Sequence, residues 1–101
     1  MQRFRSRWAA KGVLLAAAEG KVDSSLFSPQ AQAEIVPFIQ RVGPNYLRPL
    51  GAMTAFVLLE TREEKESRIY RYRAIYKDST LLWTFALTKE GKISALQPTE
   101  E

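Results

Sequence analysis

The chain is predicted to be α+β, with N-terminal helices packed on a curved four-stranded antiparallel meander, and residues 1–101 form one domain. Three observations predict this. Apolar residues recur at helical spacing through the first half of the chain, and from Met53 onward the period falls to two. Runs of Gly, Pro, Asp and Ser punctuate the periodic segments. With 46% hydrophobic and 26% charged residues, 101 residues suffice for a single core.

Residues 4–19 set Phe4, Trp8, Lys11 and Leu15 along one stripe of an amphipathic helix that ends near Gly20. A second helix starts with Ser28 as N-cap and Pro29 at the first helical position, where a missing N–H costs nothing. Pro37 is expected to kink it or to start a new turn, and Gly43-Pro44 to stop it. The linker 43–51, with two prolines and two glycines, leads to the sheet.

The stretch 69–87 alternates strictly. A two-residue turn at Asp78-Ser79 places Tyr70, Tyr72, Ala74 and Tyr76 opposite Leu87, Phe85, Trp83 and Leu81 on one face. Upstream of the polar loop 63–66, Ala55, Val57 and Leu59 extend that face to a third strand. A last strand over 92–97 follows Lys89-Glu90-Gly91, and two registers are open for it, one pairing Leu87 with Ile93 and one pairing Phe85 with Leu96.

The order of elements and certain local features resemble the nuclear transport factor two-like, or SnoaL-like, superfamily with its cystatin-like roll. The features are the Ala/Leu-rich first helix ending in Glu19-Gly20-Lys21, the Leu26-Phe27-Ser28-Pro29 entry, Pro49-Leu50-Gly51, and the Gly91-Lys92-Ile93 turn. In particular the chain is similar to small bacterial domains of that group appended to serine hydrolases. The resemblance implies a roll with a pocket between helices and sheet, frequent pairing through the sheet, and a parent or partner enzyme domain. It does not transfer an activity, because the superfamily holds isomerases and cyclases beside domains with no catalytic role.

The absence of cysteine and histidine removes thiolate nucleophiles, Cys/His zinc sites and the commonest neutral-pH acid or base. Asp23 and Asp78 fall in turns, and the carboxylate run 60–66 is interleaved with Arg62 and Lys65, so it reads as a solvated loop. No glycine-rich loop precedes a helix, and no catalytic, cofactor or metal residues are assigned. The side chains expected to line a pocket are Tyr46, Tyr70, Tyr72 and Trp83, a set that equally suits a plain aromatic core.

The opposite face of the sheet is expected to present Phe56, Leu58, Ile75, Leu82 and Thr84 beside Arg71 and Arg73, an apolar strip rimmed by arginine. Such a strip suits a homodimer through the sheet, a terminal segment folded back over it, or another protein. Arg71 and Arg73 are expected to stack on Phe56. Nucleic-acid binding is disfavoured, since the alternation sends Tyr70 and Tyr72 to one face and Arg71 and Arg73 to the other.

The net charge of +4 is concentrated in Arg3, Arg5, Arg7 and Lys11, which read as a solvated basic helix face, beside a leader-like pattern ending at Ala16-Ala17-Ala18 and a basic arm. No run reaches the ~20 apolar residues of a membrane span, and the compartment, cytoplasmic or exported, stays open. The expected function is a non-catalytic accessory or small-ligand-binding domain, without cofactor, that takes a small apolar ligand and self-associates. The alternative is an isomerase- or cyclase-type enzyme using a buried carboxylate and a tyrosine.

Overall fold

A computed structural model of the chain describes residues 7–100, with side chains from residue 9 onward. The side chains of Arg3, Phe4, Arg5, Arg7 and Trp8, on which part of the expected first helix and basic cluster rested, lie outside the described residues. The architecture is α+β, with three helices, α1 (Arg7–Ala18), α2 (Pro29–Glu34) and α3 (Val36–Leu47), followed by strands β1 (Met53–Glu64), β2 (Ser67–Tyr76), β3 (Thr80–Leu87) and β4 (Ile93–Glu100). The strands pair antiparallel in the order β1-β2-β3-β4.

Helix α1 buries Ala10, Val13, Leu14 and Ala17, while Leu15 is half exposed. The buried stripe is thus rotated from the expected one toward small side chains, which let a neighbouring helix come close. That neighbour is α3: a Cβ on Gly43 would lie 2.3 Å from the Ala17 carbonyl oxygen. The contact explains why α3 runs through Gly43-Pro44 to Leu47 instead of stopping there. Packing against α1 outweighs the backbone bond lost at Pro44.

Gly20 adopts φ +71° beyond α1, and the amides of Gly20 and Lys21 donate to the Ala17 and Ala16 carbonyls. This crossed pair satisfies carbonyls that the helix end leaves open, in a conformation that suits glycine. Arg48 adds to the closure, its Nε donating to the Ala18 carbonyl at 3.1 Å. The Ser28 hydroxyl accepts from the Ala31 amide, as expected of an N-cap with Pro29 following it. Of the two outcomes open for Pro37 the new turn is the one that occurs: α2 ends at Glu34, Ile35 joins the two, and Pro37 sits in the first turn of α3. Phe27 bridges to Ile93, and the Ser28 amide donates to the Ile93 carbonyl, so the approach to α2 is tied to the start of β4.

In the sheet, the β2 and β3 faces are as the alternation predicts, but the register differs by two residues. Tyr76 and Ser79 flank a turn at Lys77-Asp78, which sets Ala74 opposite Leu81, Tyr72 opposite Trp83 and Tyr70 opposite Phe85. An even shift preserves every side chain's face. Strand β1 carries two irregularities, at Thr54 and at Leu59. Between the two, Phe56 and not Ala55 stands opposite Ala74, and Phe56 and Leu58 therefore belong to the inner face. In β4 both open registers occur, Leu87 with Ile93 and Phe85 with Leu96, because one extra residue intervenes between them.

The core lies between the helices and the inner face of the sheet. Tyr72 is its centre, 1% exposed, stacked on Phe56 with ring centroids 4.6 Å apart and edge-on to Phe85 at 5.6 Å. Such offset and T-shaped pairs suit the aromatic quadrupole. Around them Phe27, Leu14, Leu81 and Ile93 are fully enclosed.

Candidate functional site

Helix α3 does not lie flush on the sheet along its whole length. Between it and the strands is a cleft of about 480 Å³. The helical wall is Leu14 and Ala17 of α1 with Ile35, Phe38, Ile39, Val42, Gly43, Tyr46 and Leu47, and the sheet wall is Trp83, Leu96 and Pro98. Among the described residues Glu34 is the one charged residue of the lining; it is exposed, and its carboxylate accepts from Gln30 Nε2 at 3.5 Å. The volume falls in the range of small-molecule clefts, roughly 300–1,000 Å³, and the apolar walls with few polar groups match their usual chemistry.

The four expected lining residues do not meet in one place. Tyr46 and Trp83 face each other across the cleft. Tyr72 is sealed in the core beside them, where burial pushes its phenol up to about 12. Tyr70 belongs to a separate, polar hollow of about 280 Å³ at the hairpin end, with Arg68, Glu66 and Lys89. The residues that build most of the cleft, Ile35, Phe38, Ile39, Val42 and Leu96, were missed. The signal was present in the i, i+3, i+4, i+7 spacing of Ile35, Phe38, Ile39 and Val42 within the expected second helix.

Polar atoms at the cleft are scarce. Trp83 is 5% and Tyr76 7% exposed, and among the described residues the Trp83 indole nitrogen and the Tyr76 hydroxyl have each other as polar neighbours. Burial raises the Tyr76 phenol above its ordinary value, the nearby Trp83 N–H opposes that rise, and the Tyr46 phenol adds to it. The indole N–H and the phenol oxygen are therefore neighbours within the core. Among the described residues no carboxylate is buried; Asp23 instead caps the short turn Ser24–Leu26, where hydrogen bonds from the Ser25 hydroxyl and amide lower its carboxyl.

The outer face of the sheet carries Ala55, Val57, Arg71, Arg73, Ile75, Leu82, Thr84 and Ala86. Arg71, Arg73, Ile75, Leu82 and Thr84 thus share one surface as expected, whereas Phe56 and Leu58 face the other way. Phe56 is core, stacked on Tyr72, so the expected stacking of Arg71 and Arg73 on it does not occur. Arg71 instead reaches Glu60 at 3.4 Å, and Glu60 also pairs with Arg62 at 2.9 Å. Val57, opposite Arg73, supplies the apolar surface that Phe56 was expected to give, and is 44% exposed. Among the described residues the helices pack on the inner face, and Ile75, Leu82 and Thr84 take no part in the core.

No protein-family model matches the chain, and comparisons with curated proteins and with solved structures give no match either. No helix among the described residues is long and apolar enough to cross a membrane.

Proposed function

We propose that this chain is a non-catalytic binding module that holds a small, largely apolar molecule between α3 and the sheet and pairs with a second copy through its outer sheet face. One observation carries the proposal: the 480 Å³ cleft is walled almost wholly by apolar side chains. Water gains little in such a space, while an apolar guest gains from leaving water. The rival enzyme needs a buried carboxylate beside a tyrosine; among the described residues the one carboxylate of the lining, on Glu34, is exposed. Kinship with nuclear transport factor two-like domains is part of the same reading, supported by the helices-then-meander order.

Pairing is supported by the outer face itself. Four strands of eight residues span roughly 19 Å by 26 Å, on the order of 500 Å² per protomer. A two-fold pair would bury on the order of 1,000 Å², at the lower limit for a specific interface, so the dimer is weak. A native mass spectrum of the purified chain tests both parts. The expected result is a concentration-dependent dimer, with a reproducible small adduct on each chain. A strict monomer at high protein concentration would remove the pairing, and failure of every added apolar compound to bind would remove the cleft's role.

A further inference from the structure

Part of the cleft's sheet wall is also the edge of the sheet. Leu96 and Pro98 line the cleft and belong to β4, which has β3 on one side and no strand on the other. At the turn between β2 and β3, hydrogen bonds run both ways between Tyr76 and Ser79, and the unbroken register from there turns the backbone of Leu82, Thr84 and Ala86 toward β4. Their partners are Thr99, Gln97 and Ala95, so the backbone groups of Leu96, Pro98 and Glu100 point away from the sheet. Pro98 thus stands where no N–H is needed, and the Ile93 carbonyl points the same way, accepting from the Ser28 amide. Beyond Ile93 this edge has no strand partner among the described residues; Leu96 is half-buried, and residues 97–100 are exposed.

A row of backbone donors and acceptors beside an apolar cleft is complementary to an extended peptide. Every second side chain of a strand laid along β4 falls on the face of Leu96 and Pro98, which is the face of the cleft. Phe27 already takes the first place in that row, bridging to Ile93 before the chain turns into α2. A second copy of β4, paired antiparallel about Leu96, would bring its Thr99 against Ile93, where Phe27 stands. The free length from Leu96 to Glu100 therefore suits a separate short segment. Charge gives its sign: the charged side chain of the lining is Glu34, that of the free length is Glu100, and Arg41 stands outside the lining, over the Phe38 ring.

We infer that β4 and the cleft together take an extended peptide, antiparallel to β4, with apolar side chains at alternate positions and a lysine or arginine at its N-terminal end. The inference rests on the reading of the cleft as a binding site, and it makes the apolar guest a pair of peptide side chains. One peptide residue exchanges two hydrogen bonds with Leu96, the residue two before it donates to the Pro98 carbonyl, and the basic side chain meets Glu100. The two apolar side chains lie between Leu96 and Pro98 on one wall and Phe38 and Val42 on the other. Pairing of two chains through the outer sheet face leaves this edge free.

The test uses the whole chain and the acetylated, amidated hexapeptide Lys-Thr-Leu-Thr-Leu-Thr, read by displacement of Nile red and by amide hydrogen exchange. In the free chain the Leu96 amide is expected to exchange fast and that of Gln97, which faces β3, slowly. Saturating peptide should slow Leu96 at least tenfold and leave Gln97 unchanged. N-methylation of the second leucine, the residue opposite Leu96, should weaken displacement about tenfold, the effect of one neutral hydrogen bond, and serine in place of both leucines should abolish it. Glutamate in place of the lysine should weaken it about threefold. A Leu96 amide already slow in the free chain would mean that the leading residues or a second copy cover the edge, and would overturn the assignment. No displacement, displacement that survives N-methylation or favours glutamate, or displacement without protection of Leu96 would also overturn it and leave the apolar cleft standing. If the dye itself does not bind, the cleft reading fails and the assignment with it.

Discussion

The two faces of the sheet are made by the same alternating strands, yet one is clothed and the other is bare. On the inner face every second residue of β2 and β3 is buried, from Tyr70 to Tyr76 and from Leu81 to Leu87. Their neighbours on the outer face, Arg71, Arg73, Ile75, Leu82 and Thr84, are only partly buried. The difference shows that apolar character alone does not mark a core. What separates the faces is the set of helices, joined to one another by Gly43 on Ala17 and Arg48 on Ala18 and tied to the sheet where Phe27 meets Ile93. Where that set stands off, between α3 and Leu96, the inner face keeps a cleft.

The largest effect is expected at the centre of the clothed face. Tyr72→Ala should cost about 3–5 kcal/mol in a urea unfolding curve, since it removes a ring enclosed by Phe56 and Phe85 and leaves a closed void. A loss near that of a surface site would erase the contrast between the faces. Next comes the helix seat. Gly43→Ala drives a methyl group into the Ala17 carbonyl and should cost about 2–3 kcal/mol, with altered dye binding because Gly43 also lines the cleft. An unchanged melting temperature would show that α1 and α3 are not held at this point.

Alkali sharpens the same comparison. The Tyr72 phenol is raised from 10.0 to about 12, and that of Tyr76 is raised in the same sense, chiefly by burial. Below pH 10 both states of the chain keep these protons, and the stability tied to them is intact. Above it the unfolded chain loses them first and binds fewer protons than the folded one, so stability falls as pH rises toward 12. Absorbance at 295 nm should show Tyr72 and Tyr76 ionising late and together with unfolding; four tyrosines titrating near 10 in a folded chain would contradict their burial. The smallest change in stability belongs to the bare face. Ile75→Asp should cost about 1 kcal/mol or less yet abolish self-association in sedimentation equilibrium. An unchanged oligomer would free the outer face from the proposed pairing.

Much of this was legible in the residue order, and the failures have physical causes. Alternation through 69–87 assigned the faces of β2 and β3, and it survived a misplaced turn because the error was two residues, an even number. Phe56 was assigned to the wrong face because the irregularity at Leu59, between the loop 63–66 and Phe56, adds a single residue, an odd number, with no mark in the pattern. The Ser28-Pro29 cap is a local signal and was readable; the passage of α3 through Gly43-Pro44 depends on Ala17, 26 positions away, and was not. The cleft depends on that same long-range contact. Tyr46 and Trp83 were identifiable as aromatics, but their meeting across a gap, and the separation of Tyr70 from them, follow from where α3 ends.

The most direct test of the central claim is titration of the chain with Nile red beside a Val42→Trp/Leu96→Trp double variant, which narrows the cleft from its helix wall and its strand wall together. Saturable binding of one dye per wild-type chain, weakened at least tenfold in the double variant while its circular dichroism stays native, is the predicted result. Binding that is absent in the wild type, or unaffected by the two indoles, would contradict it.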